Sequence, residues 1–185
     1  MRVLGLAGSL RAGSHSARLL ALAGSALPAG AELVTWSRLG ELPLYDPDVD
    51  ARETHPVVES LRDAIREADA LVIVTPEYNA SVSGVLKNAI DWASRPRATT
   101  ALQSKPVAVV SQSPGQFGGL WAADDLKRIL KITGARPLEE AVSVAQIDTV
   151  LPDGAPALQD EELHDALVAQ LAALVQAAQT ATVAA

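Results

Sequence analysis

A chain of 185 residues fits one ordinary domain and can bury a substantial core. Hydrophobic residues make up 49% and charged residues 20%, a globular rather than a disordered balance. A formal net charge of −7 and only 3% aromatics argue against a nucleic-acid partner, and the absence of cysteine excludes disulfides, thiolate metal sites and a cysteine nucleophile.

Residues 2–8, Arg2-Val3-Leu4-Gly5-Leu6-Ala7-Gly8, form a short apolar run closed by glycine, as a buried parallel strand does. After a Gly/Ser/Arg segment, Leu20, Ala23 and Leu27 recur at helical spacing until Pro28. Leu33-Val34-Thr35-Trp36 reads as a second strand, and 37–54 as a loop with Pro43, Tyr45 and Asp46-Pro47-Asp48. Pro56 opens a helix through Val58, Leu61 and Ile65 that ends near Asp69. Ala70-Leu71-Val72-Ile73-Val74-Thr75 is the clearest buried strand, stopped by Pro76, and the next helix carries Leu86, Ala89, Ile90 and Ala93. Pro106-Val107-Ala108-Val109-Val110-Ser111 is another core strand. Beyond a glycine-rich loop, a helix carries Ala123, Leu126, Ile129 and Leu130 up to Gly134. Residues 137–145 read as a fifth, less hydrophobic strand suited to a sheet edge. Asp160 caps a last helix with Leu163, Leu167, Leu171, Leu174 and Val175 on one stripe, and 177–185 read as a frayed tail. No repeat or polar linker divides the chain, so 1–185 reads as one domain.

Strands that alternate with helices imply a parallel sheet with right-handed crossovers. In such sheets ligands bind outside the carboxyl ends of the strands, where the strand order reverses. Three loops therefore matter: those after the first, third and fourth strands.

The first loop is Gly8-Ser9-Leu10-Arg11-Ala12-Gly13-Ser14-His15-Ser16. It enters a helix N-terminus, where unpaired N–H groups and the helix dipole favour an anion. Ser9, Ser14 and Ser16 add hydroxyls, and Arg11 adds a permanent charge suited to phosphate oxygens. It is neither a Gly-x-Gly-x-x-Gly turn nor a P-loop, and it suits a terminal monophosphate better than a pyrophosphate. The same residues also make an ordinary turn and helix cap. His15 reads as a loop residue with no proton-transfer role.

The second loop, Pro76-Glu77-Tyr78-Asn79-Ala80-Ser81-Val82-Ser83-Gly84, follows the most buried strand and presents backbone amides at the rim. A flat heteroaromatic ring needs an apolar wall plus backbone donors and acceptors along its edge. Tyr78 suits wall or rim, and Asn79 tolerates irregular backbone. An ordinary turn with Glu77 as a solvated carboxylate is the plainer account. The third loop, Ser113-Pro114-Gly115-Gln116-Phe117-Gly118-Gly119, has three glycines that permit close backbone approach to a flat ligand. Its Phe117 is the chain's single phenylalanine.

The three histidines, His15, His55 and His164, lack metal-site spacing. No apolar run approaches the roughly 18 residues that span a bilayer. The N-terminus passes directly into a strand pattern without a cleavable signal, so a cytoplasmic protein is expected.

Gly8-Ser9-Leu10-Arg11-x-x-Ser14 resembles the phosphate-binding signature of the NADPH-dependent FMN reductase family. Pro76-Glu77-Tyr78-Asn79, continuing through Gly84 and Leu86-Lys87-Asn88-Ala89-Ile90-Asp91-Trp92, is similar to that family's flavin-ring motif and following helix. Leu42-Pro43-Leu44-Tyr45-Asp46 and Gly118-Gly119 match its second-strand loop and third-loop pair, so the resemblance covers roughly residues 2–145 in order.

The resemblance implies a flavodoxin-like three-layer α/β sandwich, its five-stranded parallel sheet in the order 2-1-3-4-5 with helices on both faces. It implies bound FMN as hydride relay, NADPH or NADH as donor, and a small-molecule acceptor such as a flavin, quinone, azo dye or chromate. It implies a homodimer or homotetramer. Cofactor contacts carry over to Ser9, Leu10, Arg11, Ser14, His15 and Ser16 for the phosphate, to Pro76, Glu77, Tyr78 and Asn79 for the ring, and to Ser113 and Gly115 in the third loop. Backbone donors at Tyr78 and Asn79 would favour charge developing on the reduced ring, and no acid or base side chain is indispensable.

Two departures stand out: the family's asparagine is Ser16 here, and an arginine common after the glycine pair is replaced by Leu120-Trp121. Lys87, Asp91 and Trp92 read as a solvated face with one packing aromatic, or as a subunit contact. Arg95, Arg97 and Lys105 read as a charged surface loop, or as partners for a 2′-phosphate. The rival readings are a flavodoxin-like electron carrier that does not oxidise a nicotinamide, and a non-flavin nucleotide-binding enzyme.

Overall fold

The computed structural model describes residues 1–51 and 55–183; the end of the 37–54 loop and the last two residues of the expected tail fall outside them. The strands are β1 (Arg2–Ala7), β2 (Glu32–Thr35), β3 (Ala70–Pro76), β4 (Pro106–Gln112), β5 (Arg136–Pro137) and β6 (Val142–Val144). The helices are α1 (His15–Ser25), α2 (Pro47–Asp50), α3 (Pro56–Glu67), α4 (Gly84–Ala93), α5 (Leu120–Ile132), α6 (Ile147–Val150) and α7 (Glu161–Val183). All strand pairs are parallel, in the order β2-β1-β3-β4-β5, with β6 also on β4. The expected flavodoxin-like order is thus the observed one.

Every residue of β3 and β4 is buried, because helices cover both faces and leave a continuous apolar run no polar side. Alternate residues feed two separate cores. Leu4, Leu71, Ile73, Val107 and Val109 meet α3, α4 and α5 through Leu61, Ile65, Leu86 and Leu126. Val3, Val72, Val74, Ala108 and Val110 meet α1 and α7 through Leu19, Leu20, Leu171 and Leu174. Each fully buried leucine or valine contributes about 1.5–3 kcal/mol by leaving water, so the two layers hold the sheet rigid beneath its loops.

Three expectations are corrected. The fifth strand is two short pieces rather than one run over 137–145. Where a continuous strand would pair, the Gln170 amide of α7 donates to the Val109 and Glu140 carbonyls at 2.9 and 3.0 Å. Pro137 is tolerated at this edge because the N–H groups that meet β4 are those of Arg136 and Leu138, bonded to the Lys105 and Val107 carbonyls at 2.8 and 2.9 Å. The expected fray from 177 is instead helix to Val183, with Ala178 buried against the sheet's second core. The 37–54 loop contains a 3₁₀ turn at Leu39–Glu41 and the helix α2, capped by Asp46, whose carboxylate accepts the Asp48 amide at 2.8 Å. Among the described residues no helix is long and apolar enough to cross a membrane.

The order reverses between β1, whose chain continues to β2 on one side, and β3, which leads away on the other. The loops after β1 and β3 flank that point, and the loop after β4 adjoins it.

Candidate functional site

The first loop is pinned at both ends and open between. Its Gly8 amide donates to the Val74 carbonyl at 2.8 Å, tying it to β3. Ser14 caps α1, its hydroxyl accepting the Ala17 amide at 3.2 Å. The Arg11 carbonyl accepts the Ser14 amide at 3.2 Å, and Gly13 turns the chain at φ +65°. Among the described residues, the amides of Leu10, Ala12, Gly13 and His15 meet no acceptor. Arg11 is exposed, and its guanidinium has no partner there either. Free donors at a helix N-terminus beside an uncommitted cation make a place for a phosphate group.

Two residues of this loop stand differently from expectation. Ser16 is fully buried and its hydroxyl accepts from Gln112 at 3.4 Å, so it joins α1 to the end of β4 instead of standing at the rim. The His15 ring lies 2.9 Å from the Asp148 carboxylate of α6, which ties the loop across the sheet.

In the second loop, Tyr78 and Ser81 exchange backbone hydrogen bonds of 3.0 and 3.2 Å around a two-residue hairpin. Asn79 and Ala80 take φ of +53° and +58°. Asparagine visits that region readily, whereas it costs alanine about 1 kcal/mol. The turn consumes the Tyr78 amide, so the expected donor pair is corrected: among the described residues, the unbonded amides of this exposed turn are those of Asn79 and Ala80.

Glu77 is not a solvated carboxylate. It accepts the Ala122 amide at 3.1 Å and caps α5, whose own cap residue, Gly119, has no side chain to do so. The Ser81 hydroxyl donates to Asp125 at 2.6 Å, one turn further along α5. Ser83, buried, donates to the Gly8 carbonyl at 2.6 Å and locks the first two loops together. None of these three ties was readable from the chain; each partner lies more than forty residues away in sequence.

The Asp125 carboxyl is held below the usual carboxylate value by the Ser81 hydroxyl first and by Arg128 second. A lowered folded pKa stabilises the fold above the unfolded value, and that contribution is lost as pH falls through the folded one. Asp125→Asn should therefore flatten the acid limb of the Tm profile between about pH 5 and about pH 3. An unchanged limb would show that the tie carries no stability.

In the third loop, Ser113 and Gly115 commit their backbones to the β6–α6 connection. Ser113 donates to the Val144 carbonyl at 3.2 Å and accepts from Ile147 at 3.1 Å, while Gly115 accepts from Gln146 at 3.0 Å. The expected close approach of glycine to a ligand is corrected at Gly118. Its φ is +62°, and a Cβ there would stand 2.7 Å from backbone atoms of Ser143 and Ala145, so it serves a chain crossing. Gly118→Ala should cost at least about 2 kcal/mol in urea denaturation, because neither backbone can retreat without moving β6.

The remaining candidates separate cleanly. Lys87 pairs with Asp91 at 2.7 Å, and Trp92 is buried with its indole donating to the Pro43 carbonyl at 2.8 Å. Arg95 donates to the Tyr45 hydroxyl at 3.2 Å. Between α4 and α5 runs a groove of about 570 Å³, bordered by Lys87, Asp91, Arg95, Arg97, Asp125 and Arg128. Lys105 lies at the opposite end of β4, donating to the Arg66 and Ala68 carbonyls, with burial lowering its pKa. It is too far from the carboxyl-end rim to meet a ligand there.

A family model described as NADPH-dependent FMN reductase matches residues 1–149. An NAD(P)H-dependent FMN reductase of Pseudomonas aeruginosa is 38% identical over 174 residues, 94% of this chain and 93% of its own length. A quinone reductase of Escherichia coli K12 is 44% identical over 131 residues, 70% of this chain and 69% of its own length. Among solved structures, FerB, a flavoenzyme NAD(P)H:(acceptor) oxidoreductase from Paracoccus denitrificans, matches with a TM-score of 0.84 at 32% identity, covering 97% of each chain.

Proposed function

This chain belongs to the NADPH-dependent FMN reductase family, and from that premise we propose how its three loops divide one cofactor. The activity is that of an NAD(P)H-dependent flavin oxidoreductase with FMN as cofactor and quinone-type small molecules as acceptors. Written for a quinone, NAD(P)H, one proton and the quinone become NAD(P)⁺ and the hydroquinone. FMN, when bound, supplies the two-electron relay between them.

The first loop holds the phosphate: the free amides of Leu10, Ala12, Gly13 and His15 point donors to it, Arg11 adds charge, and Ser9 and Ser14 add hydroxyls. This cluster of unpaired donors at the switch point is the observation that carries the reading. Ser16 contributes by fixing α1 to β4. Pro76, Tyr78 and Asn79 border the ring, with the Asn79 and Ala80 amides as donors at its edge, while Glu77 sets the loop's position through α5. Ser113 and Gly115 close the far side. In this reading no side chain of these loops is needed as an acid or base, because the hydride chemistry belongs to the cofactor and the loops supply binding and orientation. The proton taken up by the acceptor comes from water.

The same reading takes 1–185 as one domain, working as a homodimer or homotetramer. The groove between α4 and α5 supports it, because Ile132 is exposed along its wall as an apolar side chain that a second copy would cover. The donor is an intracellular metabolite, which favours the cytoplasm. The test mixes protein, FMN and NADPH or NADH without oxygen and follows the visible flavin absorption. Rapid bleaching is expected; no bleaching with either nicotinamide would leave an electron carrier or a non-flavin nucleotide-binding enzyme.

A further inference from the structure

The chain has three tryptophans, two tyrosines and one phenylalanine. Trp36 and Trp92 are buried, and Tyr45 packs against the core. The other three stand about half exposed: Tyr78 at 50%, Phe117 at 51% and Trp121 at 48%. All three lie on the loops after β3 and β4 or on the first turn of α5. Exposed aromatics at a loop rim are what a flat apolar ligand or a protein partner would cover.

Its position relative to the ring loop follows from two hydrogen bonds. Glu77 and Ser81 flank Tyr78, and they bind Ala122 and Asp125 of α5. Trp121 precedes Ala122 by one residue and lies one turn above Asp125, on the side of the helix to which the hairpin is tied. Phe117 braces it, with ring centroids 5.0 Å apart and planes at 66°, an edge-to-face pair. The brace is set by the backbone: Gly118 and Gly119, both at positive φ, turn the chain so that residues 117 and 121 meet, and Ser111 fixes that turn by donating to the Gly118 carbonyl at 2.9 Å. No charged residue occurs in 78–86 or 106–123, and the Arg128 guanidinium further along α5 is already paired with Asp125, so the aromatic surface itself is uncharged.

Resting on the flavin-reductase reading, we propose that Trp121, braced by Phe117, is the specificity-determining surface for the electron acceptor and selects flat, uncharged quinones over charged acceptors. An indole face replaces the water lost from a quinone ring, whereas a charged acceptor gains nothing from it. Trp121 acts on acceptor binding and takes no part in hydride transfer.

The experiment uses the FMN-loaded enzyme and compares kcat/KM for menadione, a neutral naphthoquinone, with that for ferricyanide. Trp121→Ala is expected to lower the menadione-to-ferricyanide ratio about tenfold, chiefly through the menadione KM, and Trp121→Phe to keep it within about threefold. Phe117→Leu, which removes the brace but leaves the indole, should fall between. A ratio unchanged in Trp121→Ala overturns the proposal, as does a loss in Trp121→Phe equal to that in Trp121→Ala. Sedimentation velocity is run on each variant: a drop in the ratio accompanied by subunit dissociation assigns the patch to a second copy and also overturns it. Anaerobic bleaching of the wild type by NAD(P)H is measured first. Its failure removes the flavin reading itself, whereas bleaching with an unchanged ratio removes only the role of Trp121.

Discussion

Arg11→Ala is expected to raise the dissociation constant for FMN about ten- to hundredfold while changing turnover at saturating FMN less than about twofold. The range is that of one charge-assisted hydrogen bond to a phosphate, with its lower end set by the exposure of Arg11. The loop keeps its shape in the variant, because its anchors are elsewhere: Gly8 on Val74, Ser14 on Ala17, His15 on Asp148. Among the described residues the guanidinium has no partner to lose, so the apoprotein's stability should hardly change. Riboflavin, which lacks the phosphate, should bind wild type and variant alike. The Tm gain on adding FMN should shrink in the variant by mass action. Titration of the apoprotein by quenching of flavin fluorescence decides the matter. Equal FMN affinity in the two proteins would take Arg11 out of the phosphate site, and an equal loss of riboflavin affinity would show that the loop itself had moved.

The elements that bring these loops together were legible because their signals are local. Ala70-Leu71-Val72-Ile73-Val74 is too continuously apolar for any place but the middle of a covered sheet, and its burial follows. Given parallel strands, loops after alternate elements must share one rim, so three stretches distant in sequence could be read as one site. The connections that set the rim's geometry were not legible. The Glu77–Ala122, Ser83–Gly8 and His15–Asp148 contacts depend on how elements approach in space, and a glutamate in a turn looks the same whether it caps a remote helix or faces water. The fifth strand misled for a related reason, since only the folded state brings the Gln170 amide to the Val109 carbonyl. The tail misled because Ala178 carries little hydrophobic signal by itself, yet it lies on the continuation of the Leu167, Leu171 and Leu174 stripe. Stripe position also buries Arg62. The buried face of α3 is Val58, Leu61, Arg62 and Ile65, so the spacing alone put a cation at a core position.

Arg62→Met should lower stability by about 3 kcal/mol, an unusually large effect for a residue outside the cofactor loops. The guanidinium is 6% exposed and serves three elements at once. It donates to Asp50 of α2 at 2.8 Å, to Glu59 of its own helix at 2.6 Å and to the Trp92 carbonyl of α4 at 3.2 Å, with its carbon 5.9 Å from the Trp92 ring. Burial pushes its pKa down, but the hydrogen bonds to Asp50 and Glu59 more than reverse that and leave it above the usual arginine value. A raised folded pKa means the contribution is present at every pH below the unfolded value, hence across the whole working range. Methionine fills the stem's volume but leaves two carboxylates facing one another without their cation. The Asp50 contact ties α2 to α3, so α2 should loosen first. Arg62→Lys should recover only part of the loss, because an ammonium cannot reproduce a planar fork that meets two carboxylates and a carbonyl together. Urea denaturation of the apoprotein reads both variants, with a lower midpoint and an unchanged slope as the expected signature. FMN affinity should shift much less than in Arg11→Ala, since none of the three contacts reaches the first loop. An Arg62→Met protein within about 1 kcal/mol of wild type would mean that solvent already satisfies Asp50 and Glu59, and that the cation is held by the fold rather than holding it.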